Sequence, residues 1–291
     1  MNPMLGPETE GGTVLESIAA EFLKALLSSM RSPPSAADAH HALSPRFYNQ
    51  GGTPGEGEKL GLSTPAGSVM DRPITPPAPV IPAAPAGKGV TLNAAQVTGP
   101  KAGTGPNAIL VKNSFDHPIT LGQFVNGGST TVPAASITLH PGQTGMLSHV
   151  NGEGGFIAKA DASGQFQPNA SRLEYKTDAD GKMSWPDVSD IDGRNAAIWF
   201  TDGKGLTKGD SQSIAGGAPA NTVTTDVAGN ETIAGDYDES TATMRDGAAY
   251  MTGKLGTGGA YQHPHDDALG PGQNPMSGTD SKIISAIFGP A

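Results

Sequence analysis

The segments of this sequence that could do chemistry are rich in carboxylates and lie in its C-terminal half. His263-Pro264-His265-Asp266-Asp267 carries two imidazoles and two carboxylates within five residues, and all four groups can ligate a metal ion. No other cluster of histidines completes a ligand set, so we predict a loop without a metal. Asp178-Ala179-Asp180-Gly181 begins like a calcium loop but lacks the third acidic position and the closing bidentate glutamate, so we predict a hairpin turn.

Several other kinds of catalytic motif are missing from the sequence. There is no cysteine, which excludes disulfides, thiolate metal sites, iron–sulfur clusters and cysteine nucleophiles. There is no Gly-x-Ser-x-Gly elbow for a serine hydrolase. The glycines of residues 99–105 lack the Gly-Lys-Ser/Thr ending of a phosphate loop. We therefore predict no cofactor.

Composition and charge restrict the partners of the protein. The 291 residues include 41 Gly and 25 Pro, and the formal net charge is -10. Because no cluster of Lys and Arg could neutralise phosphates, we predict no nucleic-acid binding and favour neutral or cationic partners. No run approaches the roughly 20 apolar residues of a transmembrane helix. The first residues lack the cationic region of a secretory signal, so export with a cleaved signal peptide is not expected.

Residues 1–30 are predicted to form an N-terminal arm, and residues 31–106 a linker to the folded domain. TVLESIAAEFLKALLSSM, residues 13–30, has apolar side chains at helical spacing and a capping box at Thr13 and Glu16. We predict an amphipathic helix that packs on the protein itself or docks on a secretion chaperone, a membrane or a second copy. Residues 31–106, dominated by Pro, Ala, Gly and Ser, read as a disordered linker. Proline recurs at every third position of this linker, at Pro73, Pro76, Pro79, Pro82 and Pro85, which predicts a polyproline II helix. We predict that this helix is either a stiff spacer or a ligand for an SH3-like groove.

The residues after 106 change to short β-rich runs separated by turn residues. The runs are 108–112, 136–139, 155–159, 172–175 and 197–200, with Pro141-Gly142, Asp180-Gly181 and Asp202-Gly203 as turn signals. Their spacing of roughly ten to twenty residues favours antiparallel strands over alternating strands and helices. We predict an all-β domain over residues 107–291.

The order of motifs in this domain resembles that of the thaumatin-like proteins. The Leu-x-Glu-aromatic strand of that family is similar to Arg172-Leu173-Glu174-Tyr175, and its Asp-aliphatic-Ser-x-x-Asp-Gly-x-Asn signature is similar to residues 187–195. Its Ala-Tyr-x-x-x-x-Asp-Asp element is similar to residues 260–267, and its closing aliphatic strand to residues 283–290. Asp187 follows Glu174 by 13 positions and Asp192 follows Asp187 by 5, which repeats the family's spacing.

The resemblance implies a thaumatin-like β-sandwich with an acidic cleft that binds or weakly hydrolyses β-1,3-glucan or another polysaccharide. Carboxylates that share a cleft raise one another's proton affinity, so one can act as the acid while another stays ionised. A separation of roughly 6.5 to 9.5 Å between carboxyl groups would suit inversion, and one near 5 Å retention. The resemblance and the residue types predict catalytic carboxylates at Glu174, Asp187 and Asp192, and substrate contacts at Lys159, Tyr175, Trp185, Asp266 and Asp267.

Departures from the family pattern leave other interpretations open. The disulfide-rich loop of the family is reduced to residues 160–171, and Lys159 stands where the family has an arginine. Asp187 can also cap a loop, and Asp192-Gly193 is also an ordinary turn dipeptide. Trp199 has aliphatic neighbours and is predicted to be buried rather than to face a sugar.

A second hypothesis is a secreted, non-enzymatic effector or elicitor that presents the sandwich to a host protein. The missing cysteines and signal peptide, the acidic Gly-rich composition and the Ser/Pro-rich arm are similar to those of harpins and other type III secreted proteins of plant-associated bacteria. This hypothesis predicts a cytoplasmic protein that leaves the cell unfolded through a narrow conduit. A third interpretation is structural, with the helix of residues 13–30 forming oligomers and the linker spacing the sandwiches apart.

Overall fold

The computed structural model describes residues 91–270 and 272–291. The predicted helix of residues 13–30 and the predicted polyproline segment lie outside the described residues. Within them the chain forms three β-sheets and a single α-helix. The prediction of a β-rich domain is confirmed.

The largest sheet has six strands in the order β1-β5-β2-β14-β10-β11. These strands are β1 (Lys101–Gly103), β2 (Asn107–Asn113), β5 (Thr144–His149), β10 (Ala197–Thr201), β11 (Thr207–Gly209) and β14 (Ile283–Gly289). Strand β14 lies between β2, to which it is parallel, and β10, to which it is antiparallel. The last strand of the chain therefore fills the middle of the sheet, and the predicted runs 108–112 and 197–200 are confirmed as β2 and β10.

The second sheet has five antiparallel strands in the order β4-β3-β6-β7-β8. They are β3 (Ile119–Val125), β4 (Ala135–Leu139), β6 (Gly154–Lys159), β7 (Arg172–Lys176) and β8 (Asp187–Ser189). The predicted runs 136–139, 155–159 and 172–175 are confirmed as β4, β6 and β7.

These two sheets share one hydrophobic core, to which both contribute. Because side chains alternate along a strand, β7 places Leu173 and Tyr175 in this core and Arg172 and Glu174 on the opposite face. We call that opposite face of the five-stranded sheet the outer face. Trp199 is 4% exposed, as predicted. The core is formed mainly by Ile109, Val111, Leu121, Ile137, Leu139, Leu147, Ile157, Leu173, Val188, Ile198, Phe200, Ile284 and Phe288.

A small sheet and a helix make up the rest of the domain. The sheet has the order β12-β13-β9, with β9 (Gly193–Arg194), β12 (Val223–Thr225) and β13 (Glu231–Ala234). The helix α1 (Ala242–Leu255) begins after Thr241, whose hydroxyl accepts a hydrogen bond from the Met244 N–H. This helix was not predicted.

The composition of α1 explains why it was not predicted. Gly247 and Gly253 lie inside the helix, where glycine normally weakens helical structure. Gly247 lets α1 approach β13, because a Cβ atom at this position would lie 2.2 Å from the carbonyl oxygen of Ala234. The packing of α1 on β13 thus requires glycine at position 247, although glycine disfavours helix formation locally.

Residues 91–106, which were assigned to the linker, are part of the folded domain. Strand β1 pairs with β5 in parallel, and Leu92 is buried. The Leu92 N–H donates to the Ser285 hydroxyl oxygen of β14 at 3.2 Å. The pairing of β1 with β5 uses backbone groups and leaves little signal in composition, so the Gly-rich sequence alone predicts a linker there.

A buried ion cluster connects the three sheets of this cysteine-free domain. Arg194 lies on β9, Asp190 follows β8 and Asp210 follows β11. The guanidinium of Arg194 donates to Asp190 Oδ2 at 2.9 Å and to Asp210 Oδ1 at 2.8 Å, and its side chain is fully buried. One cation therefore joins segments from all three sheets.

Candidate functional site

A row of four side chains crosses the outer face from strand to strand. Phe124 of β3 pairs with Phe156 of β6, Phe156 pairs with Glu174 of β7, and Glu174 pairs with Asp187 of β8. Directly opposed residues on antiparallel strands have Cβ atoms roughly 4.5 to 5.5 Å apart. The structure thus brings together Glu174 and Asp187, two of the three predicted catalytic carboxylates, and buries both.

An ion pair brings the third predicted carboxylate to the same face. Arg172, two positions before Glu174 on β7, faces outward and donates to Asp192, with 2.8 Å between Nη1 and Oδ2. Its guanidinium also lies 4.5 Å from the ring centroid of Phe156, a cation–π distance. Both charged side chains are about one-tenth exposed, so the pair is largely shielded from water.

The ion pair of Arg172 with Asp192 was not predicted, because the strand motif of residues 172–175 indicates only a strand. The signal that could have found it is the period of two in a strand, which places residues 172 and 174 on one face.

The aromatic end of the outer face is closed by the shortened loop of residues 160–171. Phe124 and Phe156 stack with ring centroids 4.7 Å apart, and Phe166 of the loop meets Phe124 edge-on at 5.2 Å. Gly122 lies beneath this ring, because a Cβ atom there would be 2.7 Å from Phe166 Cζ. The carboxylate of Asp161 holds the loop by accepting hydrogen bonds from the backbone of Ser163 and Gln165 and from the side chains of Ser163 and Gln167. Hydrogen bonds shape this loop in a chain that has no cysteine.

Lys159 was predicted to bind substrate at the acidic cleft, and the structure contradicts this placement. It follows Ala158, an outer-face residue, and therefore points to the other side of the sheet. Its Nζ lies 5.4 Å from the ring centroid of Phe115, a core residue, and donates to the Ala160 carbonyl oxygen at 3.3 Å. Burial lowers the pKa of Lys159, against the opposing influence of the Asp226 and Asp161 carboxylates. Arg172, rather than Lys159, supplies a cation beside the carboxylates of the outer face.

Tyr175 was also predicted to contact a substrate, and its ring lies in the core instead. It is 2% exposed, its hydroxyl donates to Glu153 Oε1 at 3.0 Å, and it accepts from Gln123 Nε2 at 2.9 Å. Burial raises the pKa of Tyr175. Neighbouring positions on one strand cannot share a face, so Glu174 at the outer face implies Tyr175 in the core.

Trp185 lies two residues before β8 and is half-buried. Its indole N–H donates to Asp178 Oδ1 at 3.3 Å, and its ring packs against Gly278, where a Cβ atom would be 2.8 Å away. A sugar contact by Trp185 stays a prediction.

The segment that carries Asp266 and Asp267 extends the edge of the five-stranded sheet. Tyr261 forms a parallel bridge with Ser189 of β8, which brings this segment beside the outer face. Asp266 Oδ2 accepts the backbone N–H groups of Gln262 and His263 at 2.7 and 3.0 Å. Burial acts to raise the pKa of Asp266, but the contact with His263 and the two N–H donors outweigh it, so the pKa lies below its ordinary value.

Asp267 is exposed and accepts a hydrogen bond from the Tyr261 hydroxyl. Asp266 and Asp267 are thus near β8, and contact of either with a substrate stays a prediction. Among the described residues, no three His, Cys, Asp or Glu side chains are grouped so that they could hold a metal ion.

Comparisons with known proteins leave the family of the chain open. No family model matches the sequence, and no curated protein matches it significantly. Among solved structures the chain is similar to the protein elicitor MoHrip2 from Magnaporthe oryzae, with 12% identity, a TM-score of 0.34, and coverage of 62% of this chain and 98% of the elicitor. This similarity is too low to bear on function. No helix within residues 91–270 and 272–291 has the length and apolar character needed to cross a membrane.

Proposed function

We propose that this protein is a carbohydrate-directed protein of thaumatin-like type that binds β-1,3-glucan at its outer face. The observation that carries the proposal is the cross-strand pair of Glu174 and Asp187, with the ion pair of Arg172 and Asp192 on the same face. Carboxylates and a guanidinium can accept and donate hydrogen bonds to sugar hydroxyls. The half-buried ring of Phe166 adds an apolar surface beside them.

Binding is favoured over hydrolysis by the burial of the two opposed carboxylates. Glu174 is 5% exposed and Asp187 is fully buried, so an anomeric carbon would need a rearranged face to reach them. The cross-strand pairing places the two side chains side by side, so any weak endo-β-1,3-glucanase activity would use Glu174 and Asp187 as its pair of carboxyl groups. The net charge of -10 also suits a neutral polysaccharide better than an anionic one.

Co-sedimentation with insoluble β-1,3-glucan (curdlan) tests this proposal. The full chain should sediment with curdlan and stay in solution with cellulose, while Glu174→Gln and Asp187→Asn should weaken binding by about tenfold or more, because each change alters a buried carboxylate that supports the arrangement of the outer face. Asp116→Asn, on an exposed turn between β2 and β3, is the matched control and should bind normally. Normal binding by both site variants would refute the proposal, and reducing ends released from laminarin would report hydrolysis.

The alternative of a non-enzymatic secreted effector is favoured by the same burial of Glu174 and Asp187, since a display scaffold needs no reactive carboxylate. In that case deletion of residues 1–50 should abolish export and leave the urea unfolding transition of the domain unchanged. Export at the full rate after the deletion would argue against it.

A further inference from the structure

The outer face continues beside the row that ends in Glu174 and Asp187 as a second row of residues. The Trp185 N–H donates to the Lys176 carbonyl oxygen at 2.8 Å, so these two residues oppose each other on β7 and the chain leading into β8. Lys176 also pairs with Gly154 of β6. Because side chains alternate along a strand, residues two positions from Glu174 and Asp187 lie on the outer face as well.

Five residues form this second row, which we call the open row. The Asn126 N–H donates to the Gly154 carbonyl oxygen at 2.9 Å, which extends the pairing of β3 with β6. At the other end, an antiparallel bridge one position away places Gly278 opposite Trp185. The open row therefore crosses the outer face in the order Asn126, Gly154, Lys176, Trp185 and Gly278.

Two glycines shape the surface of the open row. A Cβ atom at Gly154 would lie 2.9 Å from Asn126 Nδ2, and one at Gly278 would lie 2.8 Å from Trp185 Cζ3. The amide and the indole therefore lie close over the two glycines, where any side chain would displace them. The indole is held further by its N–H, which donates to Asp178 Oδ1 at 3.3 Å. The open row thus presents an indole ring of fixed orientation beside an ammonium group and an amide.

The open row is accessible, whereas the neighbouring row is not. Asn126 is exposed, and Lys176 and Trp185 are half-buried. Glu174 is 5% exposed and Asp187 is fully buried. A ligand that approaches the outer face can therefore contact the indole, the ammonium group and the amide without a rearrangement of the sheet.

The three side chains of the open row have the chemistry of a site for one neutral sugar residue. The indole ring offers an apolar surface to the C–H groups on one face of a sugar ring. The Asn126 amide can donate to one hydroxyl and accept from another, and the Lys176 ammonium group can donate. A few polar groups placed around an apolar surface are the usual composition of a small-molecule site. The net charge of -10 disfavours an anionic sugar.

We propose that the open row binds one glucosyl residue of the β-1,3-glucan chain, with Trp185 as the platform for its ring. This proposal rests on the proposed function, because it names the part of the outer face that the sugar contacts. Lys176 and Asn126 bind hydroxyl groups of the same glucosyl residue.

Tryptophan fluorescence of the full chain tests the proposal, because the chain has two tryptophans and Trp199 is 4% exposed. Laminarihexaose should lower the quenching of the emission by acrylamide about twofold or more, because the sugar covers the indole of Trp185. Trp185→Phe should lose this change, and Trp185→Ala should bind laminarihexaose about tenfold more weakly in isothermal titration. Lys182→Gln, on the exposed turn between β7 and β8, is the matched control and should bind like the wild type.

The outcomes separate this proposal from the proposed function. Binding of laminarihexaose with unchanged quenching, or wild-type affinity in a folded Trp185→Ala variant, would overturn the proposal and leave glucan binding by the outer face intact. No binding by the wild-type protein would overturn both. Protection from acrylamide that rises with protein concentration in the absence of sugar would show that a second copy covers the open row, which would also overturn the proposal. The quenching measurement on the wild type does not depend on the folding of a variant.

Discussion

Glu174 on β7 and Asp187 on β8 lie directly opposite each other, with both side chains buried on the outer face. The adjoining ion pair of Arg172 and Asp192 places a guanidinium on the same face. Carboxylates and a guanidinium gathered on one face of a sheet can accept and donate hydrogen bonds to sugar hydroxyls, which is the reason to regard the outer face as the candidate site.

Arg172→Lys should weaken glucan binding by about tenfold, because lysine keeps the charge but loses the planar contact with Phe156 and the oriented donor to Asp192. Isothermal titration with laminarihexaose would measure the change. The urea midpoint of each variant separates a loss of binding from a loss of folding. Wild-type affinity in both Arg172→Lys and Arg172→Met would show that the cation does not contact the ligand.

Arg194→Met should lower the free energy of unfolding by about 3 to 5 kcal/mol, because it leaves the buried carboxylates of Asp190 and Asp210 without their cation. Urea denaturation at neutral pH measures this change. Adding Asp190→Asn to Arg194→Met should recover part of the loss, since one uncompensated charge is then removed. A loss below about 1 kcal/mol in the single variant would mean that the cluster does not hold the sheets together.

Asp190 should make the protein less stable as the pH rises through about 6. Burial raises the pKa of Asp190 to about 6, with Asp210 adding to the rise and Arg194 opposing it. The pKa of Asp190 in the folded protein exceeds the unfolded value of 3.8. Asp190 therefore contributes about 3 kcal/mol to the free energy of unfolding below about pH 4, and this contribution is lost by about pH 7. Asp190→Asn should remove this dependence in urea titrations at a series of pH values. An identical pH profile in the variant would contradict the prediction.

His149 should act in the opposite direction over nearly the same range. Burial lowers the pKa of His149 to about 4 from 6.5. The contribution of His149 to the free energy of unfolding is therefore fully present above about pH 6.5, and it falls by about 3 kcal/mol as the pH drops to about 4. His149→Gln, which can still bond the Thr177 hydroxyl, should lose this acid sensitivity. Asp190 and His149 offset each other in the wild type. Between about pH 4 and 6.5, the free energy of unfolding should therefore rise more steeply with pH in Asp190→Asn and less steeply in His149→Gln. A change of slope in the same direction in both variants would refute the roles given to these two residues.

The sequence predicted those strands whose side chains are strongly apolar or β-branched, such as β2, β10 and β14. It gave no indication of α1, because Gly247 serves a contact with β13 that only the folded chain reveals. It also placed residues 91–106 in the linker, although β1 pairs through its backbone with β5. The local pattern of apolar and turn residues therefore predicted the strands with apolar faces, but not the elements whose formation depends on tertiary contacts.

The candidate site was predictable to the extent that strand periodicity applies. The spacing from Glu174 to Asp187 was noted as a family pattern, and the structure shows that it makes the two residues cross-strand partners. Lys159 was predicted from the family pattern and Tyr175 from its aromatic ring, and both face the core instead. The period of two along a strand places Arg172, not Tyr175, on the face of Glu174.

Amide chemical-shift mapping of the isotopically labelled full chain with laminarihexaose is the most direct test of the central claim, that the outer face binds β-1,3-glucan. We expect saturable shifts concentrated in β6, β7 and β8, around residues 156, 172, 174 and 187, and none in β12 or β1. Shifts clustered on another surface, or no shifts at a large excess of the oligosaccharide, would contradict it.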